Sequence, residues 1–361
     1  MGQADRASIV YVVQNYPQLS QTYIKVEIEA LREQFDIHVI SIQSKKPNVA
    51  YPTTQPHTYT QDIRRMAEIV RQMRPLALHG HWLHTAPFLH ELSLKTGVPY
   101  TIRTHSFDVL HRPRPAETTL SARLQAFLKG KPNPGKTWPQ LYAPLLNQPN
   151  CLGMLSFPYT RPVLEKAGLH PEKMIDCFPA IDYRKFFNRE ANGSGVMNIG
   201  ACIPKKRVED FVDLAGSMPE RKFRHYAIGY QRDRIETYNA SRGAPVEIMP
   251  HFWHEDMPAE YKRHEWLVYT ADREFNSVGW PMAVAEAQAS GVGVCIANIR
   301  PDLKEYLGGA GFVYDSLDEV RKIISQPPPD EIRELGFAQA GKSDIESHKG
   351  LLTQLWARGQ A

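Results

Sequence analysis

The chain has 361 residues, of which 42% are hydrophobic and 23% are charged, and its formal net charge is +4. This length suits two domains, and the composition argues against a disordered chain. The mild positive charge does not by itself indicate nucleic-acid binding. It suits an anionic small ligand or loose contact with an acidic membrane surface.

The first half of the chain alternates between short apolar runs and helical patterns. Ile-Val-Tyr-Val-Val at 9–13 predicts a buried strand, and Ile24, Ile28 and Leu31 follow with helical spacing. Further strands are predicted at 37–42, 76–78, 100–104 and 152–156, and helices at 21–35, 61–73, 84–96 and 159–167. This alternation predicts a parallel sheet with crossover helices.

The stretch 112–149 interrupts the alternation. It contains seven prolines, and we expect a short helix near 120–128 inside a long excursion from the sheet. Its basic residues are Arg112, Arg114, Arg123, Lys129, Lys131 and Lys136. We interpret the excursion as part of an acceptor site. Its charge has two open explanations, a solvated surface or contact with an anionic lipid or acidic glycan.

A second alternating series follows a polar segment at 189–195, which is typical of an interdomain linker. Strands are predicted at 196–200, 223–229, 247–249, 266–269, 293–297 and 311–314, and helices at 210–217 and 281–289. After three prolines at 327–329, the pattern at 331–358 is mainly helical. Two successive α/β halves predict a doubly wound pair, in which ligands bind beyond the carboxyl ends of the strands.

Neither the cysteines nor the apolar runs indicate secretion or insertion into a membrane. Cys151, Cys177, Cys202 and Cys295 include no Cys-x-x-Cys pair, so we expect four buried small hydrophobes. The run at 9–13 is too short for a signal peptide core or a membrane span, and no later stretch is long and uncharged enough. We expect a cytoplasmic protein, with peripheral attachment at the inner face of the membrane left open.

Six segments carry motif-like sequences in a fixed order. They are NYPQLSQTYI at 15–24, HGHW at 79–82, THSFD at 104–108, Ser156 with 164–168 and 173–187, NIGACIPKK at 198–206, and 279–289 with Gly291. Together they resemble the motifs of GT-B fold glycosyltransferases of glycosyltransferase family 4, the large retaining family. The resemblance runs nearly end to end.

The resemblance implies two Rossmann-like, doubly wound α/β domains that face a central cleft. Residues 1–188 would form an acceptor domain and residues 196–330 a nucleotide-sugar donor domain. Residues 331–361 would form a helical segment that packs back on the N-terminal domain. The implied activity is that of a metal-independent glycosyltransferase of EC class 2.4, with an expected place in polysaccharide or glycolipid assembly.

Gly200 and the basic pair at 205–206 form a natural diphosphate site. The glycine lets the backbone approach a ligand, the helix start offers N–H groups, and an ammonium group balances charge. Lys206 matches a lysine of the family motif, which also makes it a candidate catalytic residue. Ala201 stands where the motif has arginine, and Arg207 is a candidate to compensate. The alternative is a solvated basic helix start.

Glu286 lies in an otherwise apolar helix and matches the second glutamate of the family's Glu-x7-Glu pair, which holds the ribose. A carboxylate accepts two hydroxyl hydrogen bonds well. The alternative is a buried structural ion pair, since such a glutamate needs partners or water.

The first glutamate of that pair should stand at position 278, where this chain has valine. We expect the loop around Val278 and Gly279 to contact the donor. Glu274 is the nearest acidic candidate for a catalytic role, and Ser277 precedes a helix whose N–H groups suit a phosphate. These departures leave the donor sugar and nucleotide open.

On the acceptor side, the resemblance places His105 beside the reacting carbon, in contact with the transferred sugar. A histidine can bond a hydroxyl or stabilise developing charge. Asp108, three residues later, is a second candidate, and the alternative for both is a capping or packing pair. Ser20 and Thr22 form a polar helix entry that we expect to face the same cleft, and Gln21 replaces a family glutamate there.

His81 completes the acceptor-side set. His79 and His81, with His84 nearby, have a spacing that binds zinc in some hydrolases. No carboxylate set stands at a suitable spacing, so we expect no metal and interpret these histidines as groups that shape the cleft. Two rival functions stay open: a non-catalytic nucleotide- or glycan-binding relative, and a GT-B enzyme with an unusual donor.

Overall fold

The computed structural model describes residues 6–43, 50–111, 135–229, 231–249, 254–274 and 278–359. The basic excursion from 112 to 134, including the helix expected near 120–128, and Ser277 lie outside these ranges. In the described part of the chain, no helix is long and apolar enough to cross a lipid bilayer.

The first sheet has seven parallel strands in the order β3-β2-β1-β4-β5-β6-β7. Its strands are β1 Ser8–Val13, β2 Asp36–Ser41, β3 His57–Tyr59, β4 Ala77–His81, β5 Tyr100–Arg103, β6 Cys151–Ser156 and β7 Met174–Asp176. Residues 9–13 are fully buried, which explains why this strand is apolar at successive positions. The order reverses between β1 and β4, so this pair forms the topological switch point.

Seven helices accompany the described part of this half of the chain. They are α1 Thr22–Leu31, α2 Ile63–Met73, α3 Ala86–Thr96, α4 Phe107–Leu110, α5 Trp138–Leu146, α6 Arg161–Lys166 and α7 Tyr183–Phe186. Helix α5 lies inside the Pro-rich excursion, where we expected only a helix near 120–128. Thr137 and Gln140 form its capping box, a local signal that the sequence already contains.

The second sheet has six parallel strands in the order β10-β9-β8-β11-β12-β13. Its strands are β8 Gly195–Ala201, β9 Phe223–Ile228, β10 Val246–Met249, β11 His264–Tyr269, β12 Gly293–Ala297 and β13 Phe312–Tyr314. The helices are α8 Val208–Gly216, α9 Arg232–Ser241, α10 Met257–Lys262, α11 Met282–Ala289, α12 Leu303–Leu307, α13 Leu317–Ile324, α14 Asp330–Gly341 and α15 Ile345–Arg358. Strands β8 and β11 form the switch point of this sheet.

The chain divides into two compact units, and each unit contains more than one segment of the sequence. The first contains residues 1–18, 27–178 and 348–361, and the second contains residues 19–26 and 179–347. The boundary near 178 differs from the linker that we expected at 189–195. That segment bonds to the second unit instead: Lys262 Nζ donates to the Glu190 carbonyl at 2.5 Å, and Asn192 Nδ2 donates to the His264 carbonyl at 2.9 Å.

The end of α15 completes the core of the first unit. Trp356 is fully buried, and its Nε1–H donates to the Thr101 hydroxyl on β5 at 3.0 Å. Its ring also meets Phe35 and His79 edge to face. Burial of a tryptophan with its N–H satisfied is a large stabilising contribution.

Candidate active site

In the second unit, Gly200 is the last residue but one of β8, just before the loop that leads to α8. Gly200 has φ +146°, a conformation that side chains disfavour, and a Cβ at this position would meet no atom within 4 Å. The open space beside Gly200 therefore lies at the switch point of the sheet.

The loop after Gly200 is tied to the exit of β11 by two hydrogen bonds. The Thr270 hydroxyl donates to the Lys206 carbonyl at 2.6 Å, and the Asp272 N–H donates to the Lys205 carbonyl at 3.0 Å. These bonds fix the backbone that carries both lysines at the carboxyl ends of the two switch-point strands.

Lys206 is a half-buried cation without an anionic partner among the described residues. Its Nζ lies 4.3 Å from the centre of the Tyr269 ring, and no described carboxylate is within ion-pair distance. Burial, together with the charge of Lys205, lowers the pKa of Lys206 to about 7. Burial also lowers the pKa of Lys205. The Lys206 ammonium is therefore suited to an anion that would compensate its charge.

Arg207, the expected second cation, is occupied elsewhere. Its guanidinium donates two hydrogen bonds to Asp210, at 2.6 and 2.7 Å, and this bidentate contact raises the pKa of Arg207. The backbone of Arg207 has φ +44° and precedes α8. The structure therefore brings Lys206 to the loop beside Gly200 and gives Arg207 a carboxylate partner of its own.

Glu286 is 5% exposed on α11 and has two protein partners. The Tyr261 hydroxyl donates to one carboxylate oxygen at 2.9 Å, and His254 Nε2 lies 3.2 Å from the other. Each oxygen keeps a further lone pair. The contacts match the structural alternative from the sequence and leave acceptor capacity for a ribose diol.

The remaining donor-side residues lie on the segment before α11. Glu274 is exposed, and its N–H donates to Asp272 at 2.9 Å. Val278 is 4% exposed, and its carbonyl accepts a hydrogen bond from Arg300. Gly279 is half-buried. Among the described residues, Glu274 forms no hydrogen bond or ion pair with Lys206 or Glu286.

In the first unit, Asp108 ties together the ends of β4 and β5. Its carboxylate accepts the N–H of Leu83 at 2.7 Å and the N–H of His105 at 2.8 Å. Burial raises the pKa of Asp108 to about 6, although these backbone bonds act to lower it. Because Asp108 is fully buried, it holds the two loops in place and does not itself present a surface to an acceptor.

Both loops contain strained backbone. Trp82, which follows His81, has φ +76°, and Ser106, which follows His105, has φ +68°. A non-glycine residue in this region costs about 1–3 kcal/mol and persists only where surrounding contacts enforce it. Strain at two adjacent strand ends is typical of a functional site.

Behind these loops lies a buried ionic network that the sequence motifs do not predict. Glu27, on α1, is fully buried, and Arg103 Nη1 donates to its Oε2 at 2.7 Å. The Tyr11 hydroxyl donates to its Oε1 at 2.9 Å. Burial acts to raise the pKa of Glu27, but the contacts with His81 and His79 hold that pKa well below its usual range.

Glu27 also corrects the expectation that no carboxylate accompanies the histidines. Its Oε1 lies 3.1 Å from Nε2 of both His79 and His81, and the three ligand atoms lie within 4.8 Å of one another. The distances between these three atoms would allow them to bind a metal ion. The charge of the network argues against this, because Arg103 already balances the Glu27 carboxylate and a divalent cation would add uncompensated buried charge.

Ser20 and Thr22 are half-buried at the start of α1 and belong to the segment 19–26 that groups with the second unit. We expected them on the acceptor side of the N-terminal domain. The structure brings together His81, His105 and Asp108 in the first unit.

No protein-family model matches the sequence, and no curated protein matches it. Similar solved structures are numerous, however. The HepE protein of Anabaena in complex with UDP is 13% identical, covers 97% of this chain and 100% of its own, and has a TM-score of 0.71. A sucrose-phosphate synthase from Thermosynechococcus elongatus is 11% identical, covers 97% and 98%, and also has a TM-score of 0.71.

A glycosyltransferase from Rickettsia africae is 10% identical, covers 99% of both chains and has a TM-score of 0.66. At such identities the similarity concerns the fold, and membership of glycosyltransferase family 4 stays a prediction from the motifs. Both parallel sheets and these full-length matches confirm the predicted architecture: the chain has the two-domain, Rossmann-like GT-B fold.

Proposed function

We propose that this chain is a glycosyltransferase. It transfers a sugar from a nucleoside-diphosphate sugar to a hydroxyl group of a glycan, glycolipid or small-molecule acceptor. Retention of configuration and independence from metal belong to the proposal through the motif resemblance. So do EC class 2.4 and a place in polysaccharide biosynthesis. A location in the cytoplasm or at the inner face of a membrane is also part of the proposal, and it rests on the short apolar runs and the mild positive charge of the sequence.

The observation that carries the proposal is the half-buried ammonium of Lys206, which has no carboxylate partner among the described residues and lies in the loop that follows Gly200. A half-buried cation with a pKa of about 7 is unfavourable unless an anion binds it. The location, at the switch point of a Rossmann-like sheet, is where nucleotides bind in such folds. Structures of the similar HepE protein contain UDP or UDP-glucose, which supports a nucleotide-sugar ligand here.

In this proposal, the protein acts by placement and charge stabilisation. Lys206 balances the charge that develops on the departing diphosphate, and the open backbone at Gly200 allows close approach. His105 contacts the transferred sugar. The leaving phosphate itself helps to deprotonate the acceptor on the same face, as the resemblance implies, so no protein nucleophile is required.

The first test is a donor screen by thermal shift with UDP-, GDP-, ADP- and dTDP-sugars, since a bound ligand raises stability by mass action. A donor that shifts the wild type is then used in a transfer assay. Lys206→Ala should weaken its binding at least about tenfold, the loss expected for one charge-assisted hydrogen bond. Lys304→Ala, at an exposed lysine of the same unit, is the matched control.

Binding without turnover is a second candidate function. It is favoured by Ala201 and Val278, which replace an arginine and a glutamate of the family motifs, and by the two protein partners of Glu286. Tight nucleotide binding with neither transfer nor donor hydrolysis would establish it. Metal independence is tested by a transfer assay in the presence of a chelator, with protein in which elemental analysis finds no stoichiometric metal. Sugar transfer under these conditions would support a metal-independent enzyme.

A further inference from the structure

A chain of three side chains leads from the buried carboxylate to the proposed sugar contact. His81 Nε2 lies 3.1 Å from Glu27 Oε1, and His81 Nδ1 lies 2.9 Å from His105 Nε2. The two imidazole planes differ by 14°, and their centres are 5.1 Å apart. With the nitrogens at 2.9 Å, this is the geometry of two nearly coplanar rings joined edge to edge by an N–H···N bond.

The chemistry of the three groups fixes where each proton lies. An ionised carboxylate can only accept, so His81 Nε2 carries the hydrogen that Glu27 binds. A neutral His81 then has a bare Nδ1, which accepts from His105 Nε2–H. A neutral His105 is therefore the Nε2–H tautomer, and its Nδ1 is an acceptor nitrogen.

The surroundings keep both histidines neutral. Burial lowers the pKa of His81 to about 4, and burial, with the charge of Arg103, lowers the pKa of His105 well below its usual value. The charged and titratable groups that face the pair are Glu27, Tyr11, His79 and Arg103, and His348 lies 3.4 Å from Arg103. Among the described residues, Arg103 balances Glu27, and Asp108, which also adjoins His105, is satisfied by the backbone N–H groups of His105 and Leu83, so neither carboxylate pairs with an imidazolium.

The backbone supports the same arrangement. Asp108 holds the N–H of His105 and the N–H of Leu83, two residues after His81. The positive φ angles at Trp82 and Ser106 show that both strand ends are forced into conformations that the residues would not adopt alone. A rigid frame of this kind is what orientation of a ring nitrogen requires.

We propose that Glu27 and His81 are positioning residues, which fix His105 in the Nε2–H tautomer so that its Nδ1 accepts a hydrogen bond from a substrate hydroxyl. The identity of the substrate rests on the proposed function, whereas the hydrogen-bond chain does not. A neutral acceptor nitrogen attracts a hydroxyl donor and repels a phosphate oxygen, so this group selects the sugar portion of a ligand.

The tautomer is tested without any substrate. Long-range ¹H–¹⁵N correlation spectra of ¹⁵N-histidine-labelled protein at pH 7.5 distinguish protonated from bare ring nitrogens, and His105→Asn identifies the His105 signals by their loss. We expect both His81 and His105 as Nε2–H tautomers. A wild-type His105 protonated at Nδ1 would overturn the inference.

Two substitutions at the same position separate positioning from packing. His81→Asn keeps a short polar side chain whose amide oxygen can accept from His105 Nε2–H, whereas His81→Leu removes the acceptor. We expect His81→Leu to lower kcat/KM at least about tenfold, with mixed tautomers at His105, and His81→Asn to restore most of that loss. His170→Gln is the control, because His170 is an exposed histidine of the same unit whose ion pair is with Glu172 and not with the Glu27 network. It should stay within about twofold of wild type.

The outcomes of the two proposals can be told apart. Equal losses in His81→Asn and His81→Leu, or a wild-type rate in His81→Leu, would overturn the positioning role. A wild type that transfers no sugar refutes the proposed function, while the spectra still decide the hydrogen-bond chain. If His81→Leu fails to fold, the spectra of the wild type and of His81→Asn still show whether His81 fixes the tautomer of His105.

Discussion

The ammonium group of Lys206 lies 4.3 Å from the centre of the Tyr269 ring. Tyr269 is the last residue of β11 and is 3% exposed. The cation therefore contacts an aromatic ring at the carboxyl end of one of the two switch-point strands. An aromatic face compensates part of the lost hydration of an ammonium but none of its net charge. The contact therefore leaves Lys206 available for an anion, and several outcomes can be measured.

Nucleotide binding should weaken as pH rises above 7. Lys206 has a pKa near 7 without ligand, because burial and Lys205 disfavour its charge, and a bound diphosphate would raise that pKa. At a pH between the pKa of Lys206 without ligand and its pKa with ligand, nucleotide binding is therefore coupled to the uptake of a proton by Lys206. Between pH 7 and 9, Kd should increase by up to about tenfold per pH unit in isothermal titration calorimetry.

The control for this pH dependence is Lys206→Arg, which keeps a charge throughout the range. Its affinity should be almost flat between pH 7 and 9. An equally steep pH dependence in the arginine variant would show that another group titrates.

Lys206 should also lower the stability of the ligand-free protein. A half-buried ammonium without a described carboxylate partner loses hydration and gains little in return. Lys206→Met keeps most of the apolar side chain and removes the charge, so it should raise Tm by a few degrees while it weakens nucleotide binding. Scanning calorimetry of ligand-free protein tests this, and a lower Tm in the methionine variant would contradict it.

Glu286 can be tested for ribose binding against a purely structural role. We expect the wild type to bind UDP more tightly than 2′,3′-dideoxy-UDP, and Glu286→Gln to lose most of that difference. Tyr261→Phe removes the hydroxyl contacts with Glu286, at 2.9 Å, and with the Ala283 carbonyl, at 3.3 Å, so it should lower Tm without altering the ribose preference. If all three proteins discriminate equally, Glu286 has only the structural role.

Stability should fall steeply as pH drops below 6.5. Burial lowers the pKa of His81, His225 and His264 to about 4, and that of His348 to about 3. Each of these histidines therefore binds a proton at a higher pH in the unfolded state than in the folded state. Its contribution to the free energy of unfolding is complete above pH 6.5 and is lost as pH falls toward 4. The slope is about 1.4 kcal/mol per pH unit for each histidine. Urea unfolding at pH 7, 6 and 5 measures it.

Asp108 acts in the opposite direction over part of this range, because burial raises its pKa to about 6. His264→Gln should reduce the measured slope by one proton, whereas His170→Gln, at an exposed position, should leave it unchanged. A free energy of unfolding that does not change between pH 7 and 5 in the wild type would contradict the burial of the histidines.

The sequence predicts the sheets well because buried parallel strands are apolar at successive positions. The runs at 9–13 and 293–297 are both fully or almost fully buried strands. The short edge strands β3, His-Thr-Tyr, and β7, Met-Ile-Asp, escape prediction, since three mixed residues carry no pattern. Helix α9 escapes for a similar reason: among its buried residues, only Ile235 is hydrophobic.

The site was harder to predict because its partners are distant in sequence. Glu27 lies 54 residues from His81 and 76 from Arg103. One signal was nevertheless present: Glu27 is three residues after Ile24 and four before Leu31, so it lies on the apolar stripe of α1. A charged residue on a buried face requires partners, and that requirement alone predicts a polar network behind the strand ends.

The position of Trp356 has a consequence for the order in which the protein can form. The second unit ends at 347, but the first needs residues 348–361 to fill the space beside Thr101 and Phe35. A nascent chain on the ribosome can therefore complete the later unit before the earlier one. Until Trp356 has been synthesised, the sheet that starts at residue 8 has an unfilled apolar surface, which is the kind of surface that chaperones bind.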